Sequence, residues 1–117
     1  MQGKLGDKAR LLHIRDAILE IKGYIGMTPF DEFLNNSMMR FACIKQLEII
    51  GEASNYLSEE LQTQFSEIEW AQIVGMRNVF VHEYFGIDNR LVWEIIKKDI
   101  PVLEEKIGKI LEIFINN

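Results

Sequence analysis

Apolar residues step along this chain by threes and fours, and no strand-like alternation interrupts them. Leu11, Ile14, Ile18, Ile21 and Ile25 draw one stripe, which predicts a first amphipathic helix starting near Asp7 as its N-cap. Thr28-Pro29 then predicts a short helical turn, with Thr28 as N-cap, Pro29 at the first helical position and Asp31 at the third. Phe30 and Phe33 would anchor it. Ser37 opens a second long helix running to about Leu57. Its apolar residues, Met39, Phe41, Ala42, Ile44, Leu47, Ile50, Ala53 and Leu57, surround most of the circumference, as expected of a central helix. The exception is a stripe of Lys45, Glu48, Glu52 and Asn55. Gly51 weakens such a helix by roughly 1 kcal/mol relative to alanine, and a close helix crossing would explain its presence.

Ser58-Glu59-Glu60-Leu61 predicts a connecting helix, and Ser66-Glu67-Ile68-Glu69 reads as a capping box that launches a third long helix. That helix would end at Gly86, a natural residue just past a helix C-terminus. Asp88 caps a fourth helix with Leu91, Val92, Ile95 and Ile96 inward. Pro101 marks a kink or a fresh start. Leu103, Ile107, Ile110 and Phe114 give the last stripe. The pattern predicts an all-α, up-and-down bundle of four to five helices in one domain over residues 1–117.

With 117 residues, 48% apolar and 26% charged, the chain has an ordinary globular composition and enough length for a single core. No apolar run is long enough to span a bilayer, and the first residues lack the apolar core of a signal peptide. The cytoplasm is therefore the expected compartment. Cys43 stands alone, so no disulfide framework arises within one chain, and it reads as a small buried apolar residue. His13 lies with Asp16 and Glu20 on a polar face and reads as a surface histidine. Trp70 and Trp93 read as core or interface anchors, and Met38, Met39 and Met76 as packing residues. The net charge of −5 counts against a general nucleic-acid binder, because phosphate contacts need cations.

One stretch departs from this pattern. Met76 to Gly86 places an arginine, an amide, a histidine and a phenol in a segment that otherwise reads as buried helix. At roughly 100° per residue, Arg77 and Tyr84 fall within about 20° of each other. Asn78 and His82, four apart, share the adjacent stripe, so the amide can fix the imidazole tautomer. Arg77 and His82 point roughly 140° apart, and one helix does not converge them. A second copy related by a two-fold axis would bring two arginines and two histidines into one cleft, which predicts a homodimer. Glu48 and Glu52 are either an acid/base pair or the answer to a buried arginine, or simply a solvated face with a Lys–Glu contact.

No Gly-rich phosphate loop, nucleophile elbow or metal-ligand set is present, and no cofactor is called for. Arginine and histidine suffice for metal-free phosphodiester cleavage. Histidine titrates near neutrality, a guanidinium fork matches phosphate, and in RNA the neighbouring 2′-hydroxyl is the nucleophile.

Arg77-Asn78-Val79-Phe80-Val81-His82-Glu83-Tyr84 matches the R-x4-H-x-Y signature of HEPN domains and closely resembles the HepT toxins. The resemblance extends to Leu47-Glu48-Ile49-Ile50-Gly51-Glu52-Ala53, Trp70, Tyr84-Phe85-Gly86-Ile87-Asp88, Val92-Trp93 and Asp99-Ile100-Pro101. It implies a homodimeric helical toxin that cleaves RNA (tRNA or mRNA), with the motifs facing each other across the dimer cleft. It also implies a partner, an MntA-type nucleotidyltransferase antitoxin that transfers AMP to the motif tyrosine. Carried over, Arg77 binds the scissile phosphate, His82 is the general acid/base, Asn78 orients either of them, and Tyr84 accepts AMP. Two other readings stand beside this one. In the first, Arg77 pairs with Glu48 or Glu52, Asn78 caps His82, and the network is structural. In the second, the chain is a non-catalytic helical dimer that binds a nucleotidyltransferase partner or a nucleotide.

Overall fold

The stripe of Leu11, Ile14, Ile18, Ile21 and Ile25 comes onto one side of helix α1 (Gly3–Ile25), where each residue is at most 4% exposed. The structure, a computed structural model, describes the backbone of residues 3–82 and 88–116 and the side chains of residues 6–77 and 88–115. Among the described residues every regular element is helical. After α1 come α2 (Phe30–Leu34), α3 (Ser37–Asn55), α4 (Glu59–Gln64), α5 (Trp70–His82), α6 (Asn89–Glu94) and α7 (Ile100–Asn116). A π-helical segment, Ile95–Asp99, joins the last two. This is the all-α fold that the periodicity predicts.

Helix α3 is central, packing on α1, α2 and α5, while α7 packs along α1. Leu47, Ile50, Phe33 and Ile107 are fully buried between these elements, and full burial of such a side chain contributes about 1.5–3 kcal/mol. Trp93 leans on Phe33 and Phe30, with ring centroids 5.0 and 5.7 Å apart.

Several helix starts differ from the predicted ones, each for a local reason. Asp7 does not cap α1, which already begins at Gly3. Its carboxylate is buried and accepts from the Ser58 backbone N–H at 2.8 Å and the Ser58 hydroxyl at 2.6 Å. Ser58 in turn accepts from the Leu61 N–H at the start of α4. A buried carboxylate needs donors, and this capping turn supplies them. Pro29, not Thr28, holds the cap position of α2, because the Thr28 N–H closes a turn onto Ile25 O at 2.8 Å. The start of α3 is the predicted one: Asn36 caps it by accepting from the Met39 N–H at 3.0 Å, and Ser37 opens the helix.

The Ser66–Glu69 box does not cap α5, which begins at Trp70. The buried Trp70 indole donates from Nε1 to Phe65 O at 3.1 Å, and this contact with the turns before it sets the helix start. Asp88 does cap α6, accepting from the Arg90 and Leu91 N–H groups. Met38, Phe41 and Leu91 are exposed rather than packed inward, at 79%, 60% and 49%. Pro101 sits in the first turn of α7, directly after the π-helical segment, where the sequence predicts a kink or a fresh start. The Ile100 N–H reaches back five residues to Ile95 O, and this wider turn carries the helix past a residue that has no N–H of its own. The predicted end of the motif helix at Gly86 lies outside the described residues. No helix among those described is long and apolar enough to cross a membrane.

Candidate functional site at the crossing of two helices

The site is built where α3 crosses α5. A Cβ placed on Gly51 would lie 3.0 Å from Ile73 O, 3.1 Å from Arg77 Cβ and 3.3 Å from Arg77 N. Only a residue without a side chain lets the two backbones approach this closely. The glycine in the central helix thus has the close crossing that its position in the sequence predicts, and the contact falls on Arg77 itself.

The next residue of α3 takes the other end of the same arginine. Arg77 Nη1 donates to Glu52 Oε2 at 2.7 Å, a charge-assisted bond at the short end of the range. The Arg77 side chain is 28% exposed and that of Glu52 52% exposed. Of the two carboxylates on the stripe, Glu52 therefore takes Arg77, while Glu48 lies 3.9 Å from Lys45. The sequence left that choice open. Its one clue was adjacency: the carboxylate beside the crossing glycine is the one that reaches across.

The exposure decides what this pair can contribute. Ion pairs in contact with water contribute about 0–1 kcal/mol, so the pair adds little to stability. It does hold a guanidinium at a solvent-accessible edge of the bundle, where an anion could approach.

Asn78 and His82 lie on α5, one turn apart, on the backbone that carries Arg77. Their side chains, and Tyr84 altogether, lie outside the described residues. His13 is exposed on α1. Cys43 is fully buried on α3, and burial pushes its thiol up to about 11, so it is not poised as a thiolate. Among the described residues no group of three His, Cys, Asp or Glu side chains is arranged to hold a metal. A cavity of about 290 Å³ opens elsewhere, between α1 and the π-helical segment, lined by Ile21, Lys22, Ile96, Lys97 and Glu104. It includes no residue of α5.

Comparison with known proteins gives the family. The family described as "Ribonuclease HepT-like" matches residues 14–110, a span that contains α3, α5 and the whole Arg77–Tyr84 motif. The chain is 39% identical over 100 residues to "Putative RNase MJ1380" of Methanocaldococcus jannaschii, covering 86% of this chain and 92% of that one. It is 37% identical over 107 residues to "Probable ribonuclease HepT" of Thermococcus cleftensis, covering 92% and 97% of the two chains. No solved structure matches it significantly. A family match over most of the length, with relatives above 30% identity along nearly their whole chains, is sufficient: this chain belongs to the HepT-like ribonuclease family of HEPN domains.

Proposed function

We propose that this protein is the toxin of a HepT/MntA-type pair, a metal-independent endoribonuclease whose site is completed by a second copy of the chain. The observation that carries the reading is the family match across residues 14–110, which includes Arg77 and His82 on one helix. In this reading the 2′-hydroxyl attacks the scissile phosphorus and gives up its proton to a His82 imidazole. The P–O5′ bond breaks, the leaving 5′-oxygen receives a proton, and a 2′,3′-cyclic phosphate remains. Arg77 neutralises the charge that builds on the non-bridging oxygens, and Asn78 orients the imidazole or the phosphate.

Two observations support a homodimer. Ile73, Val74 and Met76 are only half-buried, although α5 is an apolar helix by sequence. Arg77 and His82 also diverge by roughly 140° on a single helix, so one copy does not place both on one phosphate. Regulation follows the motif tyrosine. The phenol oxygen of Tyr84 attacks the α-phosphate of ATP on a nucleotidyltransferase partner, pyrophosphate leaves, and the bulky, anionic AMP group closes the cleft to RNA.

The test is cleavage of a tRNA pool in excess chelator, beside His82→Ala at matched folding. Cleavage that leaves 2′,3′-cyclic ends and falls at least about 1,000-fold in the variant is the expected result. Equal cleavage by both proteins overturns the assignment of His82. Intact mass after co-expression with a nucleotidyltransferase partner tests the regulation, with AMP additions that vanish in Tyr84→Phe.

A further inference from the structure

We infer that Glu52 is a positioning residue for Arg77, acting on the ribonuclease reaction proposed above without touching RNA. The inference rests on that reading and adds to it a residue that orients the phosphate-binding guanidinium.

The geometry carries it. A single turn of α3 fixes Arg77 at both ends. Gly51 abuts its Cβ and backbone, and Glu52 accepts from its Nη1 at 2.7 Å. Arginine has a long stem with many rotamers, and a guanidinium acts on a phosphate only when its plane and donor edge are aimed. The Glu52 bond uses one of five donors. Because Nη1 lies on the Cδ side, the Nε and Nη2 hydrogens form a separate parallel pair, the edge suited to bidentate phosphate binding. The carboxylate therefore sets the plane of the guanidinium while the Nε–Nη2 edge is not used by that bond.

The main rival role is stability, and the exposure argues against it. A carboxylate 52% exposed, paired with an arginine 28% exposed, is a weak strut. A second rival is that Glu52 merely occupies the arginine until RNA displaces it. The two roles differ in sign. A positioning residue raises turnover, whereas an occupying one lowers RNA affinity.

Steady-state cleavage of a short RNA by the intact protein, Glu52→Gln, Glu52→Ala and His82→Ala separates them. Glu52→Gln keeps an acceptor at the same place and is expected to lose about tenfold in kcat, and Glu52→Ala about 100-fold, since small misplacements of a reacting group cost that much. KM stays within about threefold of wild type, or falls because a negative charge is gone. Unfolding midpoints are expected to stay near wild type. Unchanged or raised kcat in both variants overturns the inference, as does a loss that only tracks lost folding. The side-chain Nε–H signal of Arg77 in nitrogen-15 NMR gives a readout independent of activity, expected to be ordered in wild type and averaged in Glu52→Ala. If the wild type itself leaves RNA intact, the ribonuclease reading fails. The NMR signal then decides the positioning alone, and equal order in both proteins overturns it.

Discussion

Helix α3 presents two faces to two different neighbours. Toward α1 and the core it is mostly apolar, with Cys43, Leu47 and Ile50 fully buried. Toward α5 it offers a glycine at the contact and then a half-exposed carboxylate, and the partner side chain is an arginine. The first face gains from burial, and the Ser54 hydroxyl is buried on it without a hydrogen-bond partner among the described residues. The second gains little from burial, yet it fixes an arginine that no apolar surface could aim. One helix can thus carry stability on one side and geometry on the other, and side-chain changes at Leu47 and at Glu52 should each report on one property alone.

The largest expected effect breaks the dry face. Leu47→Ala removes a fully buried side chain and should cost about 2–5 kcal/mol of unfolding free energy, read as a lower urea midpoint. Cleavage per folded molecule should stay at the wild-type value. Activity falling further than the folded fraction would show that the two faces are not separable.

Cys43 probes the same face without mutation. Its thiol is pushed up to about 11 from 9.0 by burial. At pH 8 the thiolate fraction is then about 100-fold lower than in an unfolded chain, so alkylation should be slower by at least that factor until urea unfolds the protein. The linked stability has a definite sign. The folded state holds its proton to higher pH, so the contribution is complete below pH 9.0 and is lost as pH rises toward about 11.

Gly51→Ala is the substitution that couples the faces. The new methyl would sit 3.0 Å from a backbone oxygen, which can yield only if α5 moves. Crowding of about 1–3 kcal/mol outweighs the roughly 1 kcal/mol gained in helix propensity, for a net loss of up to about 2 kcal/mol. Because the contact falls on Arg77, turnover should drop by more than that stability loss explains, at an unchanged KM. A variant with wild-type turnover would mean that Arg77 tolerates a shifted backbone.

These two faces were not equally legible in the sequence. The dry face is written in spacing: Leu11 to Ile25 and Leu103 to Ile110 can satisfy only one orientation of their helices, so the core follows directly. Helix starts are less determined, since Asn36 and Ser37 are equally competent caps. Where a side chain bonds outside the capping pattern, across the fold as with Asp7 on Ser58 or within a turn as with Trp70 on Phe65, local pattern misplaces the boundary. Phe41 fits by phase a helix apolar nearly all round, yet it is exposed on the same stripe as Glu48 and Glu52. At the site, Gly51 announced a crossing and Arg77 a function, but the sequence does not say which carboxylate lies opposite. That depends on the rotation of two helices about each other, which side-chain periodicity constrains only to within about a turn.

The smallest expected effect tests that last point. Glu48 and Glu52 sit one turn apart on the same helix, carry the same charge and were interchangeable by pattern. In the fold Glu48 lies 3.9 Å from the solvated Lys45, at the long limit of an ion pair, while Glu52 holds Arg77 at 2.7 Å. Glu48→Gln should therefore change unfolding free energy by no more than about 0.5 kcal/mol and leave kcat at the wild-type value, whereas Glu52→Gln slows turnover. Both variants add the same unit of charge, so any general electrostatic benefit to RNA binding appears equally in the two. The difference between them isolates the hydrogen bond to Arg77. If they slow cleavage alike, the acidic stripe acts as a whole, and the distinction between a carboxylate that aims an arginine and one that does not touch it collapses.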